Sequence, residues 1–221
     1  MPQSPLATTV LFHLGPVNIT RPVVTTWAIV AVLAFGSRLL TRRMAMRPTR
    51  GQAILELIVT GIMSQIEEVI RRRPRPFLPL LGTLFIFLVA ANLSGVLPGI
   101  QAPTATLETP AALALIVFIA VHFYGVRSRG VFNYLGSFAR PKLIMLPLNL
   151  VSEVTRTFSM MVRLFGNVMS GEFVIALIIG LAGLFVPVPL MALEILIGLV
   201  QAYIFTVLAT VFIGAAVDDA G

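Results

Sequence analysis

Six polar side chains recur through an otherwise apolar stretch: Ser152, Arg156, Ser159, Arg163, Asn167 and Ser170, at spacings of 4, 3, 4, 4 and 3. Residues three and four apart share a helix face, so these six form one polar stripe. Arg163 lies near its middle, with no acid three or four residues away. A charge at bilayer depth costs at least ~2.5–3.5 kcal/mol unless a partner or water meets it. An arginine keeps its proton at any physiological pH, which makes it a poor relay and a good fixed positive charge. Carboxylates, in contrast, can hold or pass a proton. Glu172 stands nine residues beyond Arg163, on the opposite helix face. The next apolar segment adds Glu194 and Gln201, seven apart and on one face. A fixed cation between two polar routes separates them: it repels a passing cation and attracts a carboxylate. Charge balance therefore points to an acid supplied by another chain. A structural Arg163–Glu194 ion pair, or interhelical hydrogen bonding by the Ser, Asn, Gln and Thr groups, is the plainer reading.

The composition sets the medium. Of 221 residues, 57% are hydrophobic and 11% charged, and mean hydropathy is +0.97. A soluble domain carries about 25% charged residues, so the chain reads as an integral membrane protein. There is no cysteine, and His13 and His122 lie far apart; disulfides, thiolate chemistry, a metal cluster and a cofactor site are not expected. The net charge of +7 does not signal nucleic acid, because the basic residues gather at the ends of apolar segments, following the positive-inside rule. The first 23 residues lack a basic start and an unbroken apolar core, so they do not read as a cleaved signal peptide.

The elements that must position the stripe follow from hydropathy. Residues 24–42 form a first span, with Trp27 near one end and arginines crowding the other. The basic end is expected in the cytoplasm and the N-terminus outside. Residues 51–70 have basic flanks on both sides and carry Glu56, Glu67 and Glu68, while isoleucines and leucines recur at helical spacing. That pattern predicts an amphipathic helix at the cytoplasmic surface. Residues 76–98 and 111–126 form two further spans around an external loop at 99–110 without Lys or Arg. Residues 143–216 form two long helices joined by a turn, and the five membrane-embedded segments place the C-terminus in the cytoplasm. The expectation is an all-α, multi-pass membrane protein with the whole of 1–221 as one membrane domain.

The stretch VRLFGNVMSGEF resembles the R-L-F-G-N-x-x-x-G-E signature of subunit a of rotary F-type ATP synthases. LEILIGLVQAYIFTVLATVFI near the C-terminus and the layout of helices fit the same family, over residues 20–216. The resemblance implies a bacterial inner-membrane stator channel, non-catalytic by itself, whose long hairpin lies tilted along a ring of c subunits. Peripheral-stalk b subunits and the rest of the synthase would be its other partners. Arg163 matches the family's essential arginine facing the ring carboxylate, and Asn167 and Gln201 match the polar residues beside it. Glu172 and Glu194 match the acidic positions of the half-channel open to the outside. Ser159 and Glu153 would lie toward the cytoplasmic half-channel. Many members place a histidine at one of the two acidic positions, whereas this chain has Glu at both. Its short N-terminal region and compact length also resemble the sodium-associated bacterial branch, while proton coupling is the default.

The rival reading is a self-contained ion channel or secondary transporter. Such a protein needs its own binding site and gate, and the sequence offers no broken-helix pair or internal repeat to supply them. A purely structural membrane anchor leaves Arg163 unexplained.

Overall fold

The computed structural model describes residues 10–14, 17–42, 50–70, 74–97, 100–138, 145–182 and 188–218. It opens with a feature the hydropathy pattern did not suggest. Strand β1 (Val10–Leu14) pairs antiparallel with β2 (Val17–Thr20), His13 opposite Asn18 and Leu14 opposite Val17. Gly15 and Pro16, outside the described residues, are turn formers between two short apolar runs, which is the local signal for such a hairpin.

Helix α1 (Arg21–Thr41) follows directly. Pro22 sits in its first turn, where a missing N–H leaves no bond unmade. Helix α2 (Arg50–Ile70) is the amphipathic element. Ile62, Ile66 and Ile70 are buried at a spacing of four, while Glu56, Glu67 and Glu68 are exposed. Helix α3 (Leu78–Ser94) is shorter than the 76–98 expected. Its 17 residues rise about 25 Å, and short hydrogen-bonded turns flank it at both ends. A 3-10 turn at Pro103–Ala105 leads to α4 (Glu108–Arg129). Gly130 then adopts φ 80, a backbone conformation that favours glycine. It breaks the helix so that α5 (Val131–Phe138) can start, where the sequence had suggested only a loop.

Two long helices complete the chain, α6 (Met145–Ala182) and α7 (Val188–Asp218). At ~1.5 Å per residue the 38 residues of α6 greatly exceed the hydrocarbon thickness of ~30 Å. Pro147 falls in its first turn, where the leading N–H groups have no intrahelical acceptor in any case.

Helix α7 is the hub, packing against α2, α3, α4 and α6. Ala202, Phe205, Ala209 and Ile213 are all buried on its inward face, and the two alanines let neighbouring helices come close. The shared core includes Leu81, Leu84 and Leu88 of α3, Val117 of α4 and Leu164 of α6. Among the described residues, four helices (α1, α4, α6 and α7) are long and apolar enough to cross a membrane, and α3 is a shorter apolar helix beside them. The protein is an all-α integral membrane protein, with the hairpin the only strand structure among the described residues. Burial is uneven. Helices α4 and α7 are far more buried than α6. One long face of α6 is therefore left open, and it is the face with the polar stripe.

Candidate functional site

Four of the six stripe residues share one surface. Ser152, Thr155, Arg156, Ser159 and Arg163 of α6 line a cavity of about 350 Å³, backed by Leu208 and Phe212 of α7. The Arg156 guanidinium stands 5.6 Å from the centre of the Phe212 ring, a cation–π distance. Arg163 is exposed, and among the described residues it makes no hydrogen bond or ion pair. The Arg163–Glu194 ion pair is thus absent from the structure.

One turn above Arg163, the two long helices exchange a polar contact. The Asn167 amide donates to Gln201 Oε1 at 2.6 Å. Gln201 is 2% exposed, and among the described residues its Nε2 has no acceptor. A buried donor left this way costs about 1–3 kcal/mol.

The two carboxylates gather farther along the hairpin. Glu194 of α7 is half-buried against Gly171 of α6; a Cβ added at 171 would sit 2.9 Å from Glu194 Oε1. Glu172, the next residue, is half-buried and accepts a hydrogen bond at 2.8 Å from the backbone N–H of Ala102. Glu172 and Glu194 thus share one neighbourhood although they sit on different helices. The sequence had placed Glu172 on the side of α6 away from Arg163, and the turn before α4 is what it meets there.

Glu153 sits apart from this ensemble. It does not line the cavity; it pairs with Arg156 at 3.9 Å, its side chain only 15% exposed. Its carboxylate lies near Tyr134 of α5. Burial pushes the Tyr134 phenol above its ordinary range, Glu153 adds to that effect, and Arg129 opposes it. Ser152 and Arg156 are therefore the stripe residues nearest this end, with Glu153 beside them. His122 holds the carbonyl of Phe118 in its own helix at 2.8 Å, with the Tyr134 ring edge-on at 5.9 Å.

The arrangement is chemically specific: an exposed fixed cation, a polar bridge beside it, and two carboxylates set back from it. The comparisons with known proteins decide what kind of protein carries it. The ATP synthase A chain family matches residues 23–214. The chain belongs to the ATP synthase A chain family. ATP synthase subunit a 2 of Bradyrhizobium sp. (strain BTAi1) is 72% identical over 219 residues, covering 99% of this chain and 98% of that one. ATP synthase subunit a 1 of Hahella chejuensis is 48% identical over 97% of this chain and 91% of its own length. ATP synthase subunit a of Albidiferax ferrireducens is 46% identical over 91% of this chain and 88% of its own.

Within the ATP synthase A chain family, the described residues of this chain contain no group of three or more His, Cys, Asp or Glu side chains that could hold a metal ion. Some polar groups near the carboxylates escaped the sequence reading altogether. Asn92 of α3 is 6% exposed and donates to the Gly198 carbonyl of α7 at 2.8 Å. Thr104 donates to Asn92 Oδ1 at 2.8 Å. A lone asparagine in an apolar span was the available signal, and it resembles ordinary interhelical bonding.

Proposed function

We propose that this chain is the stator ion channel of a rotary ATP synthase, acting as one membrane unit that passes ions through two offset half-channels. Arg163 is the barrier between them and faces a carboxylate on each subunit of a rotating c ring. The observation that supports this reading best is Arg163 on the open face of α6, exposed and without a partner among the described residues. A permanent cation there is costly in lipid and favourable against an incoming carboxylate.

In this reading an ion enters from outside past Glu194 and Glu172 and neutralises a ring carboxylate. The neutral site can then move into lipid. After nearly a full turn it reaches the cytoplasmic half-channel, lined by Ser159 with Glu153 behind, and releases its ion. The bare carboxylate is drawn to Arg163, while Asn167 and Gln201 hold the polar surface beside it. The transported ion is a proton or sodium, and selectivity lies mainly in the ring's own site. The N-terminus is outside and the C-terminus in the cytoplasm, with peripheral-stalk b subunits anchoring the chain. Each charge crossing 100 mV is worth about 2.3 kcal/mol, so several ions must pass for each ATP.

The test uses closed vesicles carrying the assembled complex, wild type against Arg163→Ala. Ion-driven ATP synthesis is expected to be lost, with a downhill ion leak, while the complex still assembles. Varying sodium at fixed proton gradient identifies the ion. Normal synthesis by Arg163→Ala would sink the two-half-channel reading.

A further inference from the structure

The turn between α3 and α4 is bonded far more tightly than an external connection requires. Loops run over surfaces because their backbone groups need water. Here Ala102 and Thr104 are both 0% exposed. Three hydrogen bonds, each 2.8 Å, tie the turn into the helices: Thr104 Oγ1 to Asn92 Oδ1, the Asn92 amide to the Gly198 carbonyl, and the Ala102 N–H to Glu172 Oε1. Glycine makes the approach feasible. A Cβ at Gly95 would fall 2.8 Å from the Ala102 Cβ and 3.1 Å from Glu172 Oε1, and one at Gly198 would fall 3.0 Å from the Asn92 Cβ. The result is asymmetric at the carboxylate. Oε1 is held by a donor that cannot rotate away, whereas Oε2 makes no hydrogen bond among the described residues.

We propose that the turn at 100–106 is a clamp that fixes Glu172 by one oxygen and leaves Oε2 to exchange the ion, with Asn92 and Thr104 as its positioning residues. The proposal rests on the assignment of Glu172 to the outer half-channel. Bound at Oε2, a proton leaves the Ala102 bond to Oε1 in place, so the carboxylate loads and unloads without changing rotamer. The chain Gly198–Asn92–Thr104 sets the height of the turn, and the turn sets the position of the Ala102 N–H.

The experiment titrates ATP synthesis by the assembled complex in vesicles against the external concentration of the transported ion. Four variants are compared. Thr104→Val removes the hydroxyl at nearly constant shape, and Thr104→Ser keeps it. Ala102→Pro deletes the N–H at a residue whose φ of -61 already suits proline. Glu172→Gln checks the underlying assignment. Thr104→Val and Ala102→Pro are expected to raise the half-maximal ion concentration roughly five- to tenfold, the scale of one lost buried hydrogen bond. Thr104→Ser is expected to stay near wild type. Wild-type titrations of both Thr104→Val and Ala102→Pro, with Glu172→Gln impaired, would overturn the clamp alone. A wild-type Glu172→Gln would overturn the assignment and the clamp together. Failure of both Thr104→Val and Ala102→Pro to assemble would make the turn purely structural and overturn the clamp as well.

Discussion

Gly171→Ala separates stability from ion passage in one substitution. The new methyl would lie 2.9 Å from Glu194 Oε1, 3.3 Å from its Cδ and 3.5 Å from its Cγ. Ordinary contact begins near 3.4 Å, so the carboxylate has to retreat by about half an ångström, well within the reach of a flexible side chain. That adjustment costs about 0.5–1.5 kcal/mol if it forces an off-rotamer torsion. Replacing glycine in a helix interior returns about 0.8–1.0 kcal/mol of propensity. The net effect on stability is therefore close to zero. Passage should suffer more, because transfer between groups depends steeply on geometry; a 1 Å misplacement can cost ~100-fold, and half of that suggests about tenfold. Gly180→Ala is the control, since nothing lies within 4 Å of its added Cβ. The assay pairs thermal dissociation of the complex with ion-driven ATP synthesis in vesicles. Unchanged dissociation with roughly tenfold slower synthesis is expected for Gly171→Ala, and unchanged synthesis for Gly180→Ala. Wild-type synthesis by Gly171→Ala, or equal losses in both, would refute the reasoning that the position of Glu194 matters.

Other expectations concern neighbouring contacts. Asn167→Leu strands the whole Gln201 amide in a buried site and should destabilise the complex by about 1–3 kcal/mol in thermal dissociation; adding Gln201→Leu should recover part of the loss, giving a sum smaller than the two single effects. Tyr134 favours its neutral form in the folded chain because burial and Glu153 raise its pKa. Its contribution is fully present below the ordinary tyrosine range and is lost as pH rises through the raised value of the folded chain, so thermal stability should fall above about pH 10 in wild type and less so in Tyr134→Phe.

The sequence carried the membrane class and the helical architecture because both rest on long-range composition. Runs of apolar residues and the four-residue spacing of Ile62, Ile66 and Ile70 are one-dimensional signals. Two short elements escaped. The β1–β2 hairpin is only a few residues long, and α5 exists because Gly130 breaks α4 and Tyr134 packs back against Gly125. The candidate site divides in the same way. Arg163 stood out because a charge in an apolar run is costly, and the face shared by the stripe follows from helix geometry alone. Asn167 and Gln201 were both singled out, but the contact of these two residues, 34 apart in sequence, depends on the register of two helices. The bond to Glu172 could not be read at all. Its donor is a backbone N–H, which every residue but proline possesses.

The open face of α6 has a consequence for supply. A chain inserted without its ring would present Arg163 to hydrocarbon, at a penalty of ~2.5–3.5 kcal/mol or more. A partner that binds only the folded chain adds stability by mass action, so the energetic state of each copy depends on how many partners are nearby. Surplus copies would be the least stable members of the population and the first to be reached by membrane proteases. The same arginine, proposed above as the barrier between two ion routes, would then also act as a counter of stoichiometry, keeping the number of stators matched to the number of rings.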